Sequence, residues 1–427
     1  MNSVIKRIVY RVELLFVSPV NVSSGQEGMT DSDVLRDYDG KPFISGSSIA
    51  GAFRAYVQSK NNGNDIFGFA NDEDGKISPV FISDLKFNKV ENDIRDSVAL
   101  DDNKITKEGA KFDFEVLQGN SKGYFYIELT IREKDNEELL VSALNEIFNG
   151  IHLKEIRLGS NKTRGYGIID IDQIKMLEFT KNNFLEYKDC FKETFWKNVK
   201  AYDLDYSTKG HMVSIEVPLR LKGGISIRKY AVRKGAPDFE HMTDHGCPVI
   251  PGTSIMGALR HRIKEIIKEL NINSSTEVNA NKMIDEMFGF VSGKDAHISG
   301  VIVDEMVIEG AKALEMTRTG ISRFENSARN GALYKEKTYV NGTFTLKLSI
   351  NKENPNMDWI IGILLLAVKD LQNGFLAVGG QTSIGRGIFE ANGPLTIDGE
   401  ESKEDAYIAS SIVKYKEMDY GAPVRCS

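Results

Sequence analysis

The chain has 427 residues, of which 41% are hydrophobic and 27% are charged, close to the average of globular proteins. This length predicts two or three domains, and the composition excludes global disorder. The net charge of −7 excludes a uniformly basic nucleic-acid binder, so any nucleic acid must be bound by local basic patches.

Two further counts narrow the class of protein. No apolar run reaches the roughly 18 residues of a bilayer-spanning helix, so we expect no membrane association. The three cysteines, Cys190, Cys247 and Cys426, are too few and too widely spaced for a disulfide framework, which favours a reducing cytoplasm. Glycine is frequent, with 38 residues against 10 prolines, so the glycines are expected at specific turns.

The glycines mark an internal repeat. PFISGSSIAGAFR (42–54) recurs as PVIPGTSIMGALR (248–260), IFGFA (66–70) as MFGFV (287–291), and LGSNKTRGYGII (158–169) as VGGQTSIGRGIF (378–389). Glu115 and Glu336 hold matching places between the second and third of these landmarks. Landmarks in the same order predict two copies of one domain, over 1–172 and 212–397.

The sequence patterns predict the same order of secondary-structure elements in each copy. An alternating strand (10–22 and 212–227) precedes the first motif, and a helix follows that motif. Further strands (123–131 and 342–350), helices (near 136–149 and 356–373) and a final glycine turn come next. This order predicts an α+β fold with two tandem ferredoxin-like domains.

Two segments lie outside the copies. Residues 173–211 carry apolar side chains at helical spacing and predict an amphipathic connecting helix, with Phe184, Tyr187, Phe191, Phe195 and Val199 on its apolar face. Residues 398–427 open with a charged run and predict a peripheral, partly mobile extension.

An acidic loop precedes the motif in the first copy. Asp31, Asp33, Asp37 and Asp39 offer oxygen ligands to a divalent cation, although the spacing is not that of an EF-hand. The matching stretch of the second copy contains four possible zinc ligands, namely Asp238, His241, His245 and Cys247. Their spacing is not a standard zinc pattern, so a solvent-exposed loop is the favoured interpretation.

Hydroxyl and basic side chains are candidates for binding phosphate. The motif places Ser47, Ser48, Thr253 and Ser254 at helix starts, where free N–H groups favour anions, and Arg54 and Arg260 further along. The glycine loops contribute Lys162, Arg164 and Arg386, and two basic groups contribute Arg228, Lys229 and Arg318. Ordinary capping, connecting turns and solvated faces are the alternatives.

In combination, the acidic loop, the P-x-I-x-G-[ST]-S-I-x-G-A-x-R motif, the F-G block and the final glycine loop resemble the RAMP superfamily of CRISPR-associated proteins. The chain is similar in particular to backbone subunits of type III effector complexes, and its two copies resemble the fused subunits of type III-D. Ser45 departs from the proline that is common in the family, whereas Pro251 keeps it.

The resemblance implies a modified RRM-like core that binds guide crRNA. It also implies target-RNA cleavage with Mg²⁺ or Mn²⁺ at an aspartate before the motif, which makes Asp31 the catalytic and metal-binding candidate and Asp238 a poorer second match. The implied partners are complementary target RNA, a large signalling subunit, small subunits and other RAMP backbone proteins.

Two alternatives remain open for the function. One is a non-catalytic scaffold that only holds the guide. The other is a guide-processing RAMP endonuclease, which is disfavoured because such enzymes often use an early histidine and the first histidine here is His152.

Overall fold

The computed structural model describes residues 3–23, 25, 28–58, 63–71, 75–101, 105–230, 236–270, 276–293, 295–401 and 404–417. The chain divides into two compact units. The first comprises Met1–Ser97, Lys111–Lys162 and Tyr166–Gly210, and the second comprises Val98–Ala110, Thr163–Gly165 and His211–Ser427. Within the described ranges, no helix has the length and apolarity that crossing a bilayer would require.

The elements before Gly210 follow the predicted order. They are β1 (Val4–Phe16), β2 (Phe43–Ile44), α1 (Gly46–Gln58), α2 (Gly63–Phe67), β3 (Phe69–Ala70), β4 (Gly75–Lys76), β5 (Val80–Ile82), β6 (Leu85–Lys89), β7 (Asn92–Leu100), β8 (Thr106–Leu117), β9 (Ser121–Arg132), α3 (Glu137–His152) and β10 (Ile169–Phe179). The main sheet has the order β10-β1-β9-β6-β2, with β5 also paired to β9, and its pairs are antiparallel.

Strand β1 explains how the first unit builds two apolar layers. Its even positions, such as Tyr10, Val12 and Leu14, are fully buried in the core that the helices cover. Its odd position Val9 belongs to a second cluster on the opposite face of the sheet. The period-2 alternation predicted for this strand is therefore used on both faces.

The segment expected to form a connecting helix is different in the structure. Strand β10 runs to Phe179, and two 3₁₀ helices follow, at Phe184–Asp189 and Glu193–Asn198. The buried anchors are Cys190 and Trp196, which pack on the second face of the sheet, while Phe184 is about half exposed. The prediction of one amphipathic helix was wrong because the two fully buried anchors, Cys190 and Trp196, are not on the predicted apolar face, and two short 3₁₀ helices bring them to the sheet instead.

The second repeat and the C-terminal extension contain the remaining elements, of which only α7 belongs to the extension. They are β11 (Met212–Lys222), β12 (Gly224–Ile225), β13 (Arg228–Tyr230), β14 (Phe239–His241), β15 (Thr243–Asp244), β16 (Cys247–Ile250), α4 (Gly252–Leu270), α5 (Thr276–Phe288), β17 (Phe290–Ser292), β18 (Asp295–His297), β19 (Val301–Val303), β20 (Met306–Val307), β21 (Lys312–Arg318), β22 (Tyr334–Val340), β23 (Thr343–Asn351), α6 (Met357–Gln372), β24 (Ile388–Ala391), β25 (Thr396–Ile397) and α7 (Glu404–Glu417). One sheet has the order β19-β23-β11-β24, and another has the order β12-β22-β14-β13 with β21 paired to β22.

The helices predicted near 136–149 and 356–373 are confirmed as α3 and α6. Helix α6 is apolar on nearly all sides, because it is covered by the sheet core and by α7. Within the segment predicted as a peripheral extension, residues 404–417 form helix α7, and its residues Tyr407 and Ile408 pack against the core. Residues 418–427, including Cys426, lie outside the described residues.

The last glycine of the third repeated motif, Gly167 in the first repeat and Gly387 in the second, is required by its conformation and by its close contacts. Gly387 has φ +70°, and a Cβ there would collide with the backbone of Val378. Gly385 has a similar φ of +82°, but a Cβ there would meet nothing within 4 Å. We expect Gly385→Ala to lower the free energy of unfolding by about 1–2 kcal/mol, the usual cost of a left-handed residue, and Gly387→Ala by clearly more.

Urea denaturation of the two variants measures this difference. Equal destabilisation would contradict the role of the Val378 backbone contact, since both positions carry the same conformational cost.

Candidate nucleic-acid interface

The loop that contains Asp31 lies along strand β8. The Asp31 carboxylate accepts a hydrogen bond from the backbone N–H of Asp113 (2.9 Å), and the Asp31 N–H donates to the Asp113 carboxylate (3.1 Å). The N–H of Glu115 donates to the carbonyl of Ser32 (3.0 Å). Asp31 is exposed to solvent, so its backbone is held while one carboxylate oxygen, Oδ1, stays accessible.

The other acids of this loop close local turns. Asp33 accepts hydrogen bonds from the backbone of Met29 and from the backbone and hydroxyl of Thr30, and the Thr30 hydroxyl is the main cause that lowers the pKa of Asp33. Asp37 accepts from the N–H groups of Asp39 and Lys41 (2.9 Å each). Asp31 and Asp39 are the exposed acids of the loop, and of these Asp31 is the one held against β8 beside a second carboxylate, that of Asp113.

Glu115 connects the acidic loop to neighbouring segments. Its carboxylate accepts from the N–H of Val34 (3.0 Å) and from the Asn92 amide (2.8 Å), and it forms an ion pair with Arg36. Its carbonyl accepts from the Asn21 amide (2.6 Å). The hydroxyl of Ser160, at the start of the glycine loop, donates to the other end of that amide (2.6 Å). The Glu115 side chain thus holds the acidic loop, and Asn21 links the Glu115 backbone to the glycine loop.

The second repeat has a related arrangement. The Asp238 carboxylate accepts from the N–H of Lys335 (2.8 Å), and β14 pairs in parallel with β22, so that Phe239 lies opposite Glu336. Both aspartates therefore lie beside the strand that carries the repeat glutamate. Asp113 has no acidic counterpart here, because Tyr334 occupies the matching place.

Glu336 is buried and holds the second glycine loop. Its carboxylate accepts from Arg386 (2.8 Å), from Arg318 (2.7 Å) and from the amide of Gln381 (2.7 Å). Arg386 is only 6% exposed, and burial lowers its pKa. In this arrangement Arg386 fixes the glycine loop from inside rather than offering its guanidinium to solvent.

At the helix starts, the motif glycines are packed against neighbouring backbone, whereas Ser47 and Ser48 of the first repeat are exposed to solvent. Gly46 and Gly252 lie so close to the carbonyls of Ile82 and Val303 that no larger residue fits. The N–H of Gly46 donates to the Asp84 carboxylate (2.8 Å), which supplies the negative charge that a helix start favours. The hydroxyls of Ser47 and Ser48 are exposed, and both bond with the Ser45 hydroxyl, whereas Thr253 and Ser254 are half-buried.

The remaining predicted cations are spread over several surfaces. Arg54 donates a hydrogen bond to the amide oxygen of Asn64 (2.9 Å), and Arg228 lies over the ring of Phe239 (4.3 Å). Lys229 is half-buried and Lys162 is exposed.

Arg164 and Arg260, in contrast, line a single cavity of about 580 Å³ in the second unit. The sequence motifs contained both arginines without indicating that they meet. Arg233 and Lys234, in the same basic run as Arg228, lie outside the described residues.

The positions of the predicted ligand side chains decide which metal ions they could hold. Among the described residues, no group of three or more His, Cys, Asp or Glu side chains is arranged to hold a metal ion. The zinc candidates are not brought together, since His241 is buried, accepts from the N–H of Ile227 (3.0 Å) and has its pKa lowered by burial to about 4. Asp31 and Asp113 fit Mg²⁺ better, because that ion uses one or two carboxylates together with substrate phosphates.

The tip between β21 and β22 contains candidates that sequence reasoning missed. Phe324 is fully exposed, and Ile321 and Leu333 are about two-thirds exposed, next to Arg323 and Arg329. The available signal was the presence of apolar residues in a polar, glycine-flanked segment. Exposed aromatic and arginine side chains are the groups on which unpaired bases stack.

Comparisons with known proteins identify the family. A family model described as the RAMP superfamily matches residues 13–170 and 232–390, which lie within the two predicted repeats. No protein with a curated description matches the chain. The solved structures that resemble it include a chain of the type III-B Cmr-beta complex bound to cognate target RNA, determined by cryo-EM. That chain is 16% identical with a TM-score of 0.33, and the match covers 40% of the present chain and 61% of the other. With two tandem α+β domains that both match the family, the chain belongs to the RAMP superfamily.

Proposed function

We propose that this chain is a guide-RNA-binding backbone subunit of a type III CRISPR effector complex in the cytoplasm, and that it cuts complementary target RNA at the Asp31 loop. The observation that supports the proposal best is the repeated placement of an aspartate, Asp31 or Asp238, against the strand of the repeat glutamate. This is the loop in which the resembled family has its catalytic aspartate. Large signalling, small and other RAMP subunits would be its partners.

Exposed groups on the chain suit an RNA backbone in spite of the acidic total. Lys162 and Arg164 in the first glycine loop and Arg323 and Arg329 in the β21–β22 tip are exposed cations. Such cations contact phosphates, and the exposed Phe324 offers a stacking surface for a base. The net charge of −7 is compatible with this because the binding groups are local.

The Asp31 loop can support cleavage of an RNA phosphodiester. Attack by the neighbouring 2′-hydroxyl breaks the P–O5′ bond, leaves a 2′,3′-cyclic phosphate and releases the 5′-oxygen as a hydroxyl, whereas attack by water is hydrolysis. Asp31 Oδ1 accepts no hydrogen bond within the described part of the chain, so it is free to orient or deprotonate the attacking 2′-hydroxyl or water. Asp113 holds the Asp31 backbone and adds a second carboxylate, so these two residues would hold a divalent cation. When bound, Mg²⁺ or Mn²⁺ would neutralise charge on the phosphate.

A non-catalytic scaffold is the second candidate function. It is favoured by the small acidic donor set, with no third carboxylate grouped around Asp31 among the described residues. Under this alternative the same cations hold the guide, and cleavage belongs to another subunit.

RNA affinity of the purified full chain tests the first half of the proposal. We expect the association constant for a guide-length RNA to fall with rising salt, with a log–log slope of about −0.7 for each phosphate neutralised. Fluorescence anisotropy at several salt concentrations measures it. RNA binding that is absent at low salt would contradict both the catalytic and the scaffold candidates.

A further inference from the structure

The cavity that contains Arg164 and Arg260 has the chemistry of a nucleotide site. It lies wholly in the second unit, and its wall includes Phe290, Ser292 and His297 from the β17–β18 hairpin. Its volume of about 580 Å³ falls within the usual range of ligand pockets.

The two arginines give the cavity a net positive charge. Arg260 is balanced by Asp285 (3.1 Å) and also donates to the carbonyl of Gly289 (3.4 Å). Arg164 is exposed and has neither a hydrogen bond nor an ion pair from its side chain to the described residues. One guanidinium is thus anchored and the other is unused, so the pair has one unbalanced positive charge to offer a phosphate.

An aromatic pair forms the neighbouring wall. Phe290 and His297 lie opposite each other in the β17–β18 pair, with ring centroids 6.4 Å apart and planes 12° apart. Both rings are exposed to solvent, which is unusual for a side chain as large and apolar as that of Phe290. An exposed aromatic pair beside an unpaired guanidinium is a combination on which unpaired bases bind.

The first repeat shows that this combination is not a general property of the fold. Its matching hairpin pairs Phe69 with Lys76, and Lys76 forms an ion pair with Asp65 (2.7 Å). There is no second ring in that pair. The aromatic pair is therefore a feature of the second repeat.

We propose that this cavity binds one unpaired nucleotide of a single-stranded RNA, with the phosphate between Arg164 and Arg260 and the base against the Phe290–His297 pair. The inference rests on the proposed function, which makes RNA the ligand. It goes further in assigning a base-stacking site to the second repeat. Binding of a free phosphate or of an acidic peptide would need the arginines but not the rings.

Two single variants of the full chain test the site. We expect Arg164→Gln to weaken binding of a 12-nucleotide oligouridylate about tenfold and to reduce the salt slope by about one phosphate. We expect Phe290→Ala to weaken it about tenfold as well, but to leave binding of an abasic oligonucleotide of equal length unchanged. Lys347→Gln is the matched control, because Lys347 is exposed and paired with Glu216 away from the cavity.

The outcomes separate this inference from the proposed function. Wild-type affinity in both variants would overturn the nucleotide site and leave the proposed function standing. Equal loss of oligouridylate and abasic binding in Phe290→Ala would also overturn base stacking. No salt-dependent RNA binding by the unmodified chain would overturn both. Both altered residues are exposed, so thermal unfolding of the variants should match the unmodified chain.

Discussion

Replacement of Glu336 by methionine is expected to lower the free energy of unfolding by about 3–5 kcal/mol, the usual result of removing one partner from a buried ion pair. Glu336 is 1% exposed and is the shared acceptor of Arg318, Arg386 and Gln381. Without it, Arg386 stays buried with its charge unpaired. Arg318 is about one-third exposed and can turn towards water, so most of the loss arises from Arg386.

A second substitution distinguishes a charge effect from a packing effect. In Glu336→Met/Arg386→Met, the buried charge and its partner are both removed, and most of the stability should return. Glu115→Met is the matched change in the first repeat, and it should cost less because its partner Arg36 is about one-third exposed. Urea denaturation measures all three. A double variant no more stable than Glu336→Met would contradict the importance of the unpaired Arg386.

The architecture could be predicted because it follows from local patterns. Strand alternation, helical spacing and glycine turns are properties of short windows, and two copies of each window reinforced one another. The α+β fold and helices α3 and α6 were therefore predicted correctly. The 173–211 segment was not, since its aromatic spacing fits a helix, while the residues that it buries on the sheet, Cys190 and Trp196, do not follow that spacing.

The roles of individual side chains depend on contacts that sequence spacing does not contain. Arg386 belongs to an exposed-looking glycine loop, yet Glu336, fifty residues earlier, draws it into the interior. Arg164 and Arg260 come from different motifs, and only the folded chain places them around one cavity. Asp113 was missed for the same reason, because its link to Asp31 crosses 82 residues.

Replacement of Asp31 by asparagine is expected to reduce target-RNA cleavage by about 10²–10⁴-fold, the usual contribution of a general acid or base, while guide affinity stays unchanged. Asparagine keeps the acceptor for the Asp113 N–H and removes the charge, so the loop should keep its place. Asp113→Asn should give a smaller loss, since it weakens cation binding but leaves the Asp31 carboxylate, and its amide oxygen can still accept from the Asp31 N–H. Single-turnover cleavage of a labelled target by the reconstituted complex measures each rate.

The second repeat supplies the comparison. Asp238 also accepts a backbone N–H of this strand, but from Lys335, one residue beyond the match of Asp113, and no carboxylate stands in the place of Asp113. We therefore expect Asp238→Asn to change cleavage much less than Asp31→Asn. Two results would exclude this division of labour. If Asp31→Asn and the double variant both cut at the unmodified rate, neither aspartate is catalytic and the scaffold alternative holds. If Asp238→Asn has the larger effect, then a second carboxylate is not what makes a repeat competent, and the backbone contact shared by both loops is sufficient.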